Sequence, residues 1–294
     1  MGIFIDLKDD CSEKIPYDRA DYPFYIRHSF LSFYPNYVAP PHWHDDIELI
    51  IVYQGEMSYN INGKIVPLHT GEGLFVNARQ MHFGFSDTHT ECEFMYILFH
   101  PLLLCITPDM EQKYVLPVIQ NEEIPFIHLK PQITWQNEII SKTNLIYSIH
   151  KASAATLKIQ SILSWIWAIV YENMPKTSHV THLQNNELSI LKNMISFIQQ
   201  HYNEPVTLQQ IALAGSVGQS KCCRLFGEYI HQTPNTYLTA YRLNKGTELL
   251  VNTDMNITEI AYAVGFNGAS YFAESFRKYF HLSPSEYRNS MCVS

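Results

Sequence analysis

The chain has 294 residues, 46% hydrophobic, with a formal net charge of −8. That length suggests two domains, each able to bury its own core, and the composition excludes a disordered or fibrous chain. Its longest apolar runs, 96–106 and 162–171, are broken or too short to cross a bilayer. Residues 1–21 form an acidic arm without a continuous apolar core, so the sequence predicts a cytoplasmic protein with no membrane partner. The six cysteines, at 11, 92, 105, 222, 223 and 292, lack metal or disulfide spacing and read as free thiols. Charge is uneven: residues 1–185 hold 12 Lys/Arg against 20 Asp/Glu, whereas 186–294 hold 8 against 8.

From His28 to Phe99 short β-branched and aromatic runs alternate with turn signals. Strands are predicted at 28–34, 47–53, 57–61, 64–68, 74–77 and 93–99, with Asn62-Gly63 as a hairpin turn. Many short strands without helices between them argue for an antiparallel sandwich or barrel over 22–132. Within it lies His42-Trp43-His44-Asp45-Asp46-Ile47-Glu48. On one unbroken strand His42, His44 and Glu48 would share a face, with Ile50 and Val52 continuing it and Trp43 packing on the other side. His82 could close the set. Three imidazoles and a carboxylate can hold a divalent transition metal with positions left open for a ligand, or they can orient a polar organic effector directly.

The period changes to that of a helix at residues 139–150 and again at 157–170. The second of these helices is apolar on more than one side, so region 133–173 is predicted to pack on the sheet domain and to dimerise. Residues 174–186 are polar and read as a linker.

The last stretch carries a duplication. His231-Gln232-Thr233-Pro234-Asn235-Thr236-Tyr237 recurs as His281-Leu282-Ser283-Pro284-Ser285-Glu286-Tyr287, and Ile211-Ala212-Leu213-Ala214 as Ile260-Ala261-Tyr262-Ala263. Each copy reads as a short helix, a tight turn and a second helix with a polar outer face, which is a helix-turn-helix. The first spans about 207–229 and the second about 257–279, joined by a helix over about 234–251. Thr207 is expected to cap the first unit and Asn267 the last helix of the second. Residues expected to reach base edges are Gln219, Ser220, Lys221 and Arg224 in the first unit, and Gly268, Ala269, Ser270 and Ala273 in the second. Arg277, Lys278 and Arg242 are expected to hold phosphates or to brace the domain.

Two resemblances follow from these residues. His42, His44, Glu48 and Gly55 are similar to the first motif of the cupin barrels, and Gly71 and His82 fit part of the second. The run Ile260-Ala261, Ala263-Val264-Gly265-Phe266, Ser270-Tyr271-Phe272, Phe276, Lys278, Phe280, Ser283-Pro284 and Tyr287-Arg288 closely resembles the AraC/XylS transcription regulators. That resemblance covers about 187–290. It implies an α+β chain: an antiparallel cupin-like β-barrel with a helical pair, then an all-α domain of seven helices carrying both helix-turn-helix units. It also implies double-stranded DNA, a small-molecule effector (a carbohydrate at the family level), RNA polymerase and a second copy of the chain as partners, and no catalysis. A metal-dependent cupin enzyme fused to a DNA-binding domain is the alternative, and an adaptor that has lost DNA binding is a third reading. Against the family pattern, His231 and His281 stand where Gly is usual, Gly218 replaces Ser, Cys222 replaces Leu, Gly246 replaces Ala, and Glu274 replaces Arg.

Overall fold

A computed structural model describes residues 12–17, 19, 21–175 and 182–291. The chain divides into two compact units, one holding Ser12–Asn185 and the other running from Asn186 onward. Most of the arm (residues 1–11) and half of the linker (176–181) lie outside the described residues.

Seven antiparallel strands build the first unit: β1 (Phe24–Phe30), β2 (Ile47–Ile61), β3 (Lys64–His69), β4 (Gly73–Val76), β5 (His82–Phe85), β6 (Cys92–Phe99) and β7 (Phe126–Leu129). Their order is β1-β6-β2-β4-β7, while β3 and β5 also pair with β2. β2 therefore belongs to two layers. Its first part, Ile47 to Gly55, lies between β6 and β4, and its second part, Glu56 to Ile61, lies between β3 and β5. The changeover falls at a register shift between Val52 and Gln54. Gly55 sits there with φ +83°, and a side chain on it would collide with the Glu91 carbonyl oxygen. Bulges and glycines are the usual means of turning one strand from sheet to sheet. The two strands expected at 47–53 and 57–61 are thus a single bent strand. The first strand starts earlier than expected and gives way to a 3-10 turn at Leu31–Phe33, and β5 and β7 are strands the sequence pattern missed. The ladder is not a closed ring, because β1 and β7 are its edges.

Side chains alternate across β2. Ile47, Leu49 and Ile51 enter the main apolar core. That core is completed by α3 (Thr134–Ile149) and α4 (Ala155–Asn173), which follow the short helices α1 (Pro108–Met110) and α2 (Leu116–Ile119) and the π-helical turn Glu111–Val115 between them. Ile139, Ile146, Leu163, Ile166 and Val170 supply the helical side of the contact. Asn77, just after β4, is a buried hub. Its amide donates to the Val118 and Ile124 carbonyls and its Oδ1 accepts from the Ala78 N–H, which ties β4 to the segment after α2. Opposite the core, α4 leaves Leu157 and Trp165 exposed at 74% and 58%. Trp165 donates to Glu138 at 2.8 Å and lies under the Lys142 ammonium at 4.4 Å.

The second unit contains α5 (His182–His201), α6 (Leu208–Ala214), α7 (Gln219–Ile230), α8 (Pro234–Asn252), α9 (Ile257–Ala263), α10 (Ala269–Phe280) and α11 (Pro284–Met291). Among the described residues, no helix is long and apolar enough to cross a membrane. The first helix of each repeat begins with the same device. Thr207 and Gln210 form a capping box at α6, and Asn256 and Glu259 form one at α9. The second helices begin without side-chain caps, at Gly218 and Gly268, so Gly268 and not Asn267 occupies the cap of α10. Two arginines act as braces. Arg242 donates to the Tyr202 and Glu204 carbonyls, and Arg288 to those of Leu250 and Met255, so each satisfies backbone groups that a helix end leaves open.

His231 and His281 both take the left-handed conformation, with φ +56° and +58°. A residue with a Cβ is strained there and glycine is not. His231→Gly and His281→Gly should each stabilise the second unit by roughly 0.5–1 kcal/mol, read as a raised urea midpoint. Gly246 behaves in the opposite way. Helix propensity alone favours Ala over Gly by about 1 kcal/mol, but a Cβ at this position would meet the buried Phe272 ring at 3.0 Å. Gly246→Ala should therefore lower the midpoint; a rise would show that the ring gives way.

Candidate effector and DNA-binding sites

The four residues singled out in the first unit come together, but not by sharing one strand. The chain bends at Asp45 and Asp46, and only Glu48 lies within β2. His42 reaches the group through an isolated bridge to His82 at the start of β5, with backbone hydrogen bonds in both directions between the two residues. The ring centroids of His42 and His44 lie 4.4 and 4.8 Å from that of His82. His44, Glu48 and His82 are buried and His42 nearly so.

Every ring is oriented by its backbone. Nδ1 of His42 donates to the Pro40 carbonyl at 2.8 Å, Nδ1 of His44 to Asp46 at 2.9 Å, and Nδ1 of His82 to Gln80 at 2.8 Å. A carbonyl oxygen can only accept, so each Nδ1 carries a proton and each Nε2 is the ring atom left to meet a further partner. The ligand atoms of the three rings lie within 4.8 Å of one another. The Nε2 atoms of His44 and His82 are buried and make no hydrogen bond among the described residues. Glu48 Oε2 stands 3.0 Å from His82 Nε2, an ion-pair approach off the hydrogen-bond line, and accepts from the Tyr59 hydroxyl at 3.1 Å.

Burial and the His82 ring push the His42 imidazole down to about 3 and hold that of His44 well below its ordinary range. Burial alone would raise the Glu48 carboxyl, but its attraction to His82, then His44 and His42, holds it at about 2. Neutral imidazoles beside a carboxylate are the protonation states a divalent transition metal requires of its ligands. Backbone-anchored Nδ1–H groups are also the usual outer support of metal-binding histidines. His42, His44 and His82 could hold such an ion, with the Glu48 carboxylate beside His82.

One neighbour was not legible in the sequence. Glu13, in the arm, donates its backbone N–H to the Trp43 carbonyl and places its carboxylate 3.6 Å from His42 Nε2. Burial, then Glu48 and Asp46, raise its carboxyl to about 8. Tyr17, four residues on, donates to Asp46 at 2.7 Å. Within this acidic arm Ser12 and Ile15 are also buried.

In the second unit the outer face of α7 carries Gln219, Ser220 and Arg224 exposed, with Lys221 half-buried. Its inner face buries Cys222, Leu225 and Phe226. On α10, Ser270, Arg277 and Lys278 are exposed, while Gly268, Ala269 and Ala273 are half-buried. Phe272 and Phe276 face the core. Glu274 is exposed on the same helix, and Tyr271 is exposed at 60%. Arg242, expected to hold phosphate or to brace the domain, donates to carbonyl oxygens.

Residues 32–125 match the family model for an AraC-like ligand-binding domain, and 211–290 match a helix-turn-helix domain model. The chain is 28% identical over 258 residues to an uncharacterized HTH-type transcriptional regulator, YdeC, of Bacillus subtilis, covering 86% of this chain and 87% of that one. It is 26% identical over 259 residues to the melibiose operon regulatory protein of Escherichia coli, covering 86% and 85%. It is likewise 26% identical over 260 residues to the transcriptional activator RhaS of an Enterobacter strain, covering 88% and 91%. With an AraC-like ligand-binding model matched over one part and a helix-turn-helix model over the other, the chain belongs to the AraC family of DNA-binding transcription regulators with a ligand-binding N-terminal domain.

Proposed function

We propose that this regulator responds to a small polyhydroxylated molecule, of the carbohydrate class, received at His42, His44, Glu48 and His82, and that these residues hold a divalent transition metal there. The observation that carries the reading is the convergence of three imidazoles, each fixed by an Nδ1–H bond to a nearby backbone carbonyl and with ligand atoms within 4.8 Å of one another, beside a buried carboxylate. A bound metal would supply a Lewis-acidic point for effector hydroxyl or carboxylate oxygens. The carbohydrate class is supported by a relative whose name ties it to the melibiose operon. Catalysis has no part in this reading. Turnover of a sugar by the metal-loaded chain would instead favour the cupin-enzyme alternative.

Untagged protein should carry about one divalent transition metal per chain, and His44→Ala and Glu48→Gln should lose it while keeping their circular dichroism. The same variants should lose any sugar-dependent change in binding to the DNA upstream of the gene. Metal-free protein that still responds fully to a sugar would overturn the metal half. A response to no mono- or disaccharide would overturn the carbohydrate half.

At the DNA end, α7 and α10 enter successive major grooves about 10 bp apart, as two units joined by one rigid helix allow. Lys221, Arg224, Gln219 and Ser220 read or grip the first groove. The second meets Gly268, Ala269, Ser270 and Ala273, with Arg277 and Lys278 on phosphates. A homodimer, supported by the exposed Leu157 and Trp165 of α4, doubles the operator, and RNA polymerase is the partner through which bound protein acts on transcription. On a footprinted operator, Lys221→Ala and Arg224→Ala should each cost roughly 1–3 kcal/mol of affinity, and Ser270→Ala should cost less. Equal losses would contradict an asymmetry between the two heads.

A further inference from the structure

The second unit has 8 Lys/Arg against 8 Asp/Glu, an unusual balance for a surface that must approach a polyanion. The structure shows where those cations are spent. Arg242 and Arg288 are turned onto carbonyl oxygens. Lys245 lies 2.8 Å from Glu248 on its own helix. Among the cations on the two recognition helices, Lys221 and Arg224 of α7 are both engaged by one carboxylate. Glu187, near the start of α5, accepts from Arg224 Nη2 at 2.6 Å through Oε1, and the same oxygen lies 3.3 Å from Lys221 Nζ. The other amino group of Arg224 donates to Glu228 at 2.6 Å. Glu187 is 28% exposed and its two partners about as open as surface side chains, at 42% and 43%, so all three can reach incoming DNA.

We propose that Glu187 is a built-in competitor for DNA at the first reading head: its carboxylate occupies the two α7 cations that would otherwise grip the nucleic acid, and binding requires its displacement. A phosphate oxygen accepts from a guanidinium N–H as a carboxylate oxygen does, so the exchange replaces one charge-assisted hydrogen bond by another. The net gain on binding DNA is smaller by whatever Glu187 contributed in the free chain. Glu187 then remains beside the backbone as a like charge. The device favours discrimination. A correct sequence, which adds base-edge contacts, recovers the loss, while an arbitrary sequence, held by phosphates alone, does not. The proposal rests on the reading that α7 faces DNA.

The test uses the full-length chain and a fluorescein-labelled 30-bp duplex of arbitrary sequence, titrated across a range of salt. Glu187→Gln should bind this duplex about tenfold more tightly at low salt, with the slope of log K against log salt steeper by about 1. Glu248→Gln adds the same charge away from α7 and should change affinity less than twofold. In a Lys221→Ala/Arg224→Ala background, Glu187→Gln should have no effect. If the double alanine variant binds as the parent does, α7 is not at the DNA and both readings fall. If it binds more weakly but Glu187→Gln gives no gain, or gains no more than Glu248→Gln, the competitor alone is overturned. Coincident circular dichroism and melting curves for all variants confine these differences to binding.

Discussion

The bend in β2 is the constraint on which the first unit depends. A strand of 15 residues cannot serve two layers and stay straight, so the backbone turns at Gly55, where no side chain fits against the Glu91 carbonyl. Before the bend, odd-numbered residues face the helices α3 and α4, and Glu48 takes the opposite parity, toward the histidines. After the bend the strand carries Tyr59, whose hydroxyl returns to Glu48, and ends in the Asn62-Gly63 turn. The turn then reaches the site. The Asn62 carbonyl-side oxygen Oδ1 accepts from the Met81 N–H, its Nδ2 donates to Gln80, and its backbone N–H donates to the Met81 carbonyl. Gln80 in turn offers the carbonyl that fixes the His82 ring. A hairpin turn and a ligand orientation are thus connected by a few hydrogen bonds.

Legibility in the sequence followed range. The Asn62-Gly63 turn was readable because its cause is local: two adjacent residues that tolerate positive φ, here +51° and +85°. The capping of α6 at Thr207 was readable for the same reason. Membership of the histidine cluster was anticipated from strand parity, yet the parity does not exist, since Asp45 and Asp46 break the strand. What gathers the rings is the bridge between His42 and His82, a pairing across forty residues that no local pattern encodes. β5 and β7, each four residues long, carry too little alternation to stand out without a turn signal such as the Gly71 and Gly73 pair that announces the equally short β4. Glu13 was missed because nothing in an acidic arm distinguishes a carboxylate bound for the interior from one bound for water.

The helical unit was more legible, because duplication supplies a second reading of every position. The two copies agree where the backbone demands it. His231 and His281 both close a recognition helix in the left-handed conformation, and Thr207 and Asn256 both open a helix with a capping box. They differ on the outer faces and also inside, where the buried Cys222 of the first copy stands opposite Phe272 in the second. Gly246 is instructive because composition alone misreads it: an apparent weak point in a long helix is a close approach that admits the Phe272 ring.

Electrostatics completes the comparison of the two heads. The turns differ in strain, Ser216 at φ +54° standing where the second unit has Gly265 at φ +84°, and the outer faces differ in their side chains. α7 carries two cations that share Glu187, whereas α10 places Arg277 and Lys278 in its last turn, where positive charge also complements the helix dipole. A charge near the carboxyl end of a recognition helix stabilises that helix whether or not DNA is present. A charge in the middle of its outer face lacks that dipole contact, and in this molecule Arg224 is met by Glu228 of its own helix and by Glu187 from another. The neutral balance of the domain is therefore the sum of braces, intrahelical pairs and one interhelical clasp, and it is compatible with DNA binding because the clasped cations remain at the surface.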